Sequence, residues 1–299
     1  MYDLIIIGGG PAGLTAAVYA LYKRIETLLI SEDLGGKVSY HLKLKGFEGH
    51  EIITGADVVE KFKRQLEYLR FAHRIDRIAK VEPVNGNFAV LTQSGERLEA
   101  RAIVVATGAT PQRIDVPGER RLIGRGLSYS AVSHAQLFIE REAVLFGSGA
   151  RALRAAAELA NVARHVHLLL PDRGEMESPL GKKLRASSNL TVYENAELRE
   201  IRGEQFVESI VFQSQGVARE IAVDGLFIEL GLIPNSQLVA DLGVTDNQGR
   251  IVVDCKCATS HPGLFAAGDV TDVFIEQVLI CIGEGAKAVL NAYEYLLTQ

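Results

Sequence analysis

Two glycine turns and one hydroxyl-rich segment hold the residues of this chain whose types and spacing could do chemistry. Gly8-Gly9-Gly10-Pro11-Ala12-Gly13 follows the apolar run Leu4-Ile5-Ile6-Ile7 and opens an Ala- and Leu-rich stretch. In the pattern G-x-G-x-x-G the first glycine permits a tight turn. The second lets the backbone approach a diphosphate, and the third lets helix and strand pack closely. The helix starting there offers unpaired N–H groups and the positive end of its dipole. Gly8, Gly10, Pro11, Ala12 and Gly13 are therefore candidate ligands of a dinucleotide. An acid is expected about 20 residues further on, at the end of the next strand, for the adenosine ribose. Ser31 and Glu32 occupy that place. The second turn, Gly147-Ser148-Gly149-Ala150-Arg151-Ala152, keeps the form G-x-G-x-x-A, with Arg151 and Arg154 available to phosphates.

The elements that must position these turns are written twice. Asp3 to Ile30 and Glu142 to Leu169 match without a gap, Gly8 falling on Gly147. Each copy reads as a buried strand, glycine turn, helix and buried strand. Helices are expected at about 12–23 and 151–163, and again over Val278 to Leu297. Gly263 to Val270 reads as one more strand ending in a turn and an acid. The expected fold is α/β, two Rossmann-like dinucleotide-binding domains with the second inserted into the first. The boundaries read as 1–113 and 236–299 for the first and 114–235 for the second. Pro and Gly near Thr110-Pro111 and Gly231 to Pro234 mark the crossings.

Composition bounds the function. The chain has 299 residues, 47% apolar and 23% charged, the balance of a globular protein. A net charge of −5 argues against nucleic acid as a general partner. The chain opens directly in a strand-like run, so no signal peptide is expected, and no apolar run reaches the ~20 residues of a membrane span. Three cysteines, Cys255, Cys257 and Cys281, suit a reducing, cytoplasmic compartment.

Further motifs carry a family resemblance. Gly35-Gly36-Lys37 resembles a Gly-Gly-Gln turn, and Lys45-Gly46-Phe47-Glu48-Gly49 a Glu-Asn-Phe-Pro-Gly segment. Ala106-Thr107-Gly108-Ala109 and Gly268-Asp269-Val270 match their counterparts. Glu276-Gln277-Val278 resembles Arg-Gln-Val, and Gly283-Glu284-Gly285-Ala286 matches Gly-Glu-Gly-Ala. In this order, over nearly the whole chain, they resemble the flavin domain of the low-molecular-weight thioredoxin reductases. The resemblance implies FAD, held by Gly35, Gly36, Lys37, Ala106, Thr107, Gly108, Gly268, Asp269, Glu276, Gln277 and Val278 besides the first glycine turn. It also implies a homodimer. The residue types agree with these roles. A glycine turn can lie against a flat ring, Asp269 can accept from ribityl hydroxyls, and a helix near Gln277 can aim N–H groups at the flavin.

Two departures limit what the resemblance implies. Family members carry Cys-Ala-Thr-Cys-Asp before the second glycine turn. Here the segment reads Ser130-Ala131-Val132-Ser133-His134. A serine can neither form a disulfide nor accept electrons as one, so the dithiol relay cannot run at this segment. His134 is the candidate proton donor there. The family's His-Arg-Arg-x-x-Arg clamp for an NADPH 2′-phosphate is replaced by Leu170-Pro171-Asp172-Arg173-Gly174-Glu175. Three readings of the central domain stay open: NADH with Asp172 on its ribose, a second FAD or other dinucleotide, and a scaffold. Cys255-Lys256-Cys257 reads as a strand-like run whose thiols share one face, and no metal site is expected. The expectation is an FAD-dependent oxidoreductase with unidentified electron donor and acceptor. The alternatives are a diflavin protein and a non-catalytic redox sensor or assembly module.

Overall fold

The computed structural model describes residues 1–39, 42–45, 55–68, 72–172 and 175–299. The chain separates into two compact units. One is built from Met1–Ser39, Glu51–Thr110 and Ile233–Gln299, the other from Tyr40–His50 and Pro111–Leu232.

In the first unit the chain forms β1 (Tyr2–Ile7), α1 (Pro11–Tyr22), β2 (Thr27–Ser31), α2 (Gly55–Tyr68), β3 (His73–Ile75), β4 (Ile78–Val84), β5 (Asn87–Thr92) and β6 (Arg97–Val105). The sheet runs β3-β2-β1-β6-β5-β4, and the strand Leu264–Ala266 also pairs with β6. β6 serves three partners. Its first half pairs antiparallel with β5, Phe88 opposite Ala100, and its second half pairs parallel with β1 and with Leu264–Ala266. The continuous apolar runs of β1 and β2 follow from burial on both faces: Ile5, Ile6, Leu29 and Ile30 are inaccessible to solvent. The C-terminal helix Val278–Leu297 packs closely on α1 through Gly285. A Cβ at Gly285 would stand 2.1 Å from the Ala12 carbonyl oxygen, so only glycine fits.

The second unit contains β7 (Leu127–Ser128), α3 (Ala131–His134), β8 (Glu142–Gly147), α4 (Gly149–Ala160), β9 (His165–Leu169), β10 (Leu190–Tyr193), β11 (Ala196–Arg202), β12 (Ser209–Ser214), β13 (Val217–Ala222) and β14 (Gly225–Glu229). Its parallel sheet runs β10-β9-β8-β14-β7. One face packs Leu145 and Leu168 against Leu153, Ala156 and Leu159 of α4. The other packs Val144, Phe146 and Leu169 against Leu198, Ile210 and Phe212 of the antiparallel sheet β11-β12-β13.

Three details differ from the sequence reading. Both glycine-turn helices begin and end earlier, α1 at Pro11–Tyr22 and α4 at Gly149–Ala160. The amides of Val162 and Ala163 both turn back onto the Leu159 carbonyl, closing α4 before residue 163. The strand expected around Cys255 is a turn, because Asp254 Oδ1 takes the amides of Lys256 and Ala258 at 2.8 and 2.9 Å. Lys43 and Leu44, read as part of the first domain, belong to the second unit. The Lys43 amide donates to Gly124 O at 2.8 Å and Leu44 is buried in that unit's core.

Candidate functional site

In the first unit β1 ends at Ile7 and the chain reverses through Gly8, whose φ of +115° suits glycine alone. A Cβ at Gly8 would stand 2.2 Å from Ala106 O, and one at Gly13 only 1.8 Å from Gly8 O. The turn is therefore pressed between β6 and the first turn of α1. At Gly10 no atom lies within 4 Å of the Cβ position, so its backbone faces open space. Pro11 starts α1, where its missing N–H costs no hydrogen bond. A narrow turn with one open glycine at a helix N-terminus fits a diphosphate.

The end of β2, expected to meet the adenosine ribose, is more crowded than the sequence suggests. Ser31 is buried at the end of β2, donating to Asp33 O at 2.7 Å and standing 2.9 Å from His73 Nε2. Burial holds the His73 imidazole below the ordinary histidine range. Glu32 is exposed and pairs with Arg77 Nε at 2.7 Å. His73 and Arg77 arrive through the pairing of β3 with β2, Ser31 opposite Ile75. No local motif announces them.

The remaining predicted residues of this unit come together around α1. Gly35 N donates to Gly9 O at 2.7 Å, and Gly36 N to Asp33 Oδ1 at 3.1 Å. Lys37 Nζ lies 2.6 Å from Asp269 Oδ2. Ala106 N donates to Ile7 O, tying the end of β6 to β1. Thr107 and Gly108 are stapled by Asn235, another residue that sequence reasoning missed. Thr107 Oγ1 donates to Asn235 O at 2.7 Å, Asn235 Nδ2 to Thr107 O at 2.9 Å, and Asn235 N to Gly108 O at 3.0 Å. Gly268 N donates to Glu284 Oε2 at 2.8 Å, and burial raises the Glu284 carboxyl above its usual range. Gln277 is the extended residue before the C-terminal helix, with half-buried Glu276 and Val278 on either side. The C-terminal helix thus starts next to Gln277, where the sequence places it. The Lys45 to Gly49 segment lies outside the described residues after Lys45.

In the second unit Gly147 ends β8 and Ser148 precedes α4. A Cβ at Gly147 would meet Glu229 O at 2.5 Å and the buried Ala152 at 2.9 Å. Glu229, only 3% exposed, has one carboxylate oxygen 2.7 Å from Arg151 Nε and the other accepting Ala131 N at 2.8 Å. The sequence offered no sign of this carboxylate, because it ends a strand about 80 residues beyond the turn it serves. Gly149 and Ala150 form the first turn of α4. Phe146 and Pro171 line a recess with Ile114, Val116, Asn195 and Leu198. Leu170 is buried and Asp172 exposed; Arg173 and Gly174 lie outside the described residues.

Ser130 caps α3, its hydroxyl accepting Ser133 N at 3.3 Å and donating to Ser133 Oγ at 3.0 Å. His134 Nδ1 lies 2.8 Å from Ser128 Oγ. Cys255 and Cys257 do not share a face: Cys255 is exposed and Cys257 buried, and burial pushes the Cys257 thiol up to about 11. Among the described residues no group of three or more His, Cys, Asp or Glu could hold a metal, and no helix is long and apolar enough to cross a membrane.

Comparison with known proteins agrees with this fold. A subunit of the alkyl hydroperoxide reductase of Staphylococcus aureus (strain MSSA476) is 32% identical over 300 residues, covering 99% of this chain and 59% of that protein. The NADH dehydrogenase of Bacillus subtilis (strain 168) is 31% identical with the same coverage. The chain thus spans about three fifths of the curated relatives it matches. Among solved structures, the thioredoxin reductase from Streptococcus pyogenes MGAS5005 superposes with a TM-score of 0.90 at 30% identity, covering 100% of this chain and 99% of that one. The thioredoxin reductase from Giardia duodenalis gives 0.87 at 27% identity, covering 99% of each. Residues 2–285 match the pyridine nucleotide-disulphide oxidoreductase family, and the chain belongs to it.

Proposed function

We propose that this chain is an FAD-dependent oxidoreductase that exchanges electrons with NADH and works without a dithiol relay at residues 130–134. The observation that carries the reading is the pair Ser130 and Ser133. Their side-chain oxygens lie 3.0 Å apart, on a helix turn where the family resemblance implies two sulfurs. Bound FAD supplies the electron chemistry.

The chain's own residues hold and orient it. Gly8 to Gly13 and the N-terminus of α1 take the diphosphate. Ser31 and Glu32 take the adenosine ribose, and Asp269 accepts from ribityl hydroxyls. Gly35, Gly36, Lys37 and the start of the C-terminal helix border the ring. His134 is the group that can hold a proton beside α3.

NADH rather than NADPH is favoured by the charges of the second unit. Arg151 is engaged by a buried carboxylate, and Asp172 stands where the family resemblance implies an arginine. An exposed carboxylate repels a 2′-phosphate and suits a ribose diol. The name NADH dehydrogenase on one relative supports the same choice. A homodimer is part of the proposal, and sedimentation equilibrium would show it.

Anaerobic mixing of the FAD-loaded protein with each nucleotide tests the reading. NADH should bleach the flavin band near ~450 nm at least about tenfold faster than NADPH, a preference of ~1.4 kcal/mol. Faster bleaching by NADPH would overturn the donor assignment. No bleaching by either, with two FAD released per chain, would favour a diflavin protein. One inert FAD would favour a sensor or assembly module.

A further inference from the structure

Three segments of the first unit converge over the first turn of α1. The Cβ position of Gly36 lies 3.2 Å from Gly10 Cα, so the turn carrying Lys37 rests on the diphosphate loop. The Cβ position of Gly268 lies 3.2 Å from Ala12 Cβ, which sets the next residue, Asp269, beside the same helix turn. Lys37 and Asp269 then close on one another, Nζ to Oδ2 at 2.6 Å. Cys281, in the C-terminal helix, donates its thiol to Oδ1 at 3.2 Å. Each carboxylate oxygen is therefore held by a separate side chain.

The charges make this arrangement more than a surface ion pair. Asp269 is only 11% exposed, and a carboxylate so placed is costly unless compensated. It also stands near the loop that would receive an anionic diphosphate, which a bare carboxylate repels. Lys37 answers both demands, one side of its ammonium on Asp269 and 37% of its side chain open to solvent. The family resemblance implies a neutral glutamine at this position, so the cation is this chain's own departure.

We propose that Lys37 is a cofactor-positioning residue, which orients Asp269 for the cofactor's hydroxyls and shields the diphosphate from its charge, so that FAD capture depends on salt. This deepens the FAD reading and rests on it. Its signature is electrostatic coupling between residues 37 and 269, which a merely structural lysine would lack.

The test is titration of FAD into the apoprotein, followed by quenching of flavin fluorescence, with folding verified by circular dichroism. Salt is varied from about 0.01 M to about 1 M, over which the screening length falls from about 30 Å to about 3 Å. At low salt Lys37→Gln should weaken FAD binding about tenfold, ~1.4 kcal/mol. The gap should narrow at high salt without vanishing, since a partly buried pair is screened less than an exposed one, and Lys37→Arg should retain most of the affinity. In an Asp269→Asn background the same Lys37→Gln change should cost much less. Lys37→Gln binding as tightly as the parent, or a loss unchanged by salt or by Asp269→Asn, overturns the inference alone. A folded parental chain that binds no FAD overturns the cofactor reading and this inference with it.

Discussion

Lys37 and Asp269 stand 2.6 Å apart although more than two hundred residues separate them in the chain. Lys37 follows β2, and Asp269 follows the strand Leu264–Ala266. Those two strands lie on opposite sides of the β1–β6 pair. A parallel sheet delivers all its carboxyl ends to one edge, which is why distant turns meet there and why ligands bind there.

Ser130 and Ser133 keep hydroxyls 3.0 Å apart at the cap of α3. A disulfide needs sulfurs about 2.05 Å apart with Cβ atoms about 3.8 Å apart, and a helix-capping C-x-x-C supplies that geometry. The double variant Ser130→Cys/Ser133→Cys should therefore form an internal disulfide under mild oxidation. Mass spectrometry should show the loss of two hydrogens and a peptide linking 130 to 133. Two stably free thiols at these positions would contradict the placement.

Glu229 is buried and bonded to both Arg151 and Ala131 N. Removing one partner of a buried pair leaves the other charge uncompensated, at a cost of about 3–5 kcal/mol. Arg151 is 28% exposed, so the lower end is expected, about 3 kcal/mol for Glu229→Ala. Glu229→Gln keeps the acceptor for Ala131 N and should lose less. Urea denaturation checks both, and a change below about 0.5 kcal/mol for Glu229→Ala would place this carboxylate on the surface.

Burial depresses the imidazoles of His73 and His167, and His167 Nδ1 is buried without a partner. A folded-state value below the unfolded one means that the unfolded chain binds protons first. The resulting stability is present above about pH 6.5 and is lost as pH falls through the depressed values. Replacing both histidines with asparagine should flatten the fall in stability as pH drops below about 6.5. An unchanged slope in denaturation midpoints across that window would refute the assignment.

The thiols should differ in reactivity. Cys255 is exposed, while burial raises the Cys257 and Cys281 thiols. Since the thiolate is the reactive form, iodoacetamide at neutral pH should label Cys255 first and leave the other two largely intact in the folded protein. Equal labelling of Cys255 and Cys257, or a disulfide between them, would contradict the turn.

What was legible in the sequence was local. The glycine turns, their strands and the helix start near Gln277 each arise within a few residues, so spacing alone places them. His73, Arg77, Asn235 and Glu229 were not legible, because strand pairing brings each to a site from a distant part of the chain. The Cys255 turn was misread because an apolar-rich run conceals the Asp254 carboxylate that captures two amides. The unit that Lys43 and Leu44 join is not legible, since so short a stretch carries no sign of the distant core that receives Leu44.

Acid extraction of flavin, compared between the parent and Gly10→Glu, tests the central claim most directly. A Cβ at residue 10 meets no protein atom within 4 Å, so the variant is expected to fold while blocking the diphosphate with bulk and charge. About one FAD per parental chain and none in the folded variant is the expected result. Folded parent without FAD, or a variant that keeps it, would contradict the claim.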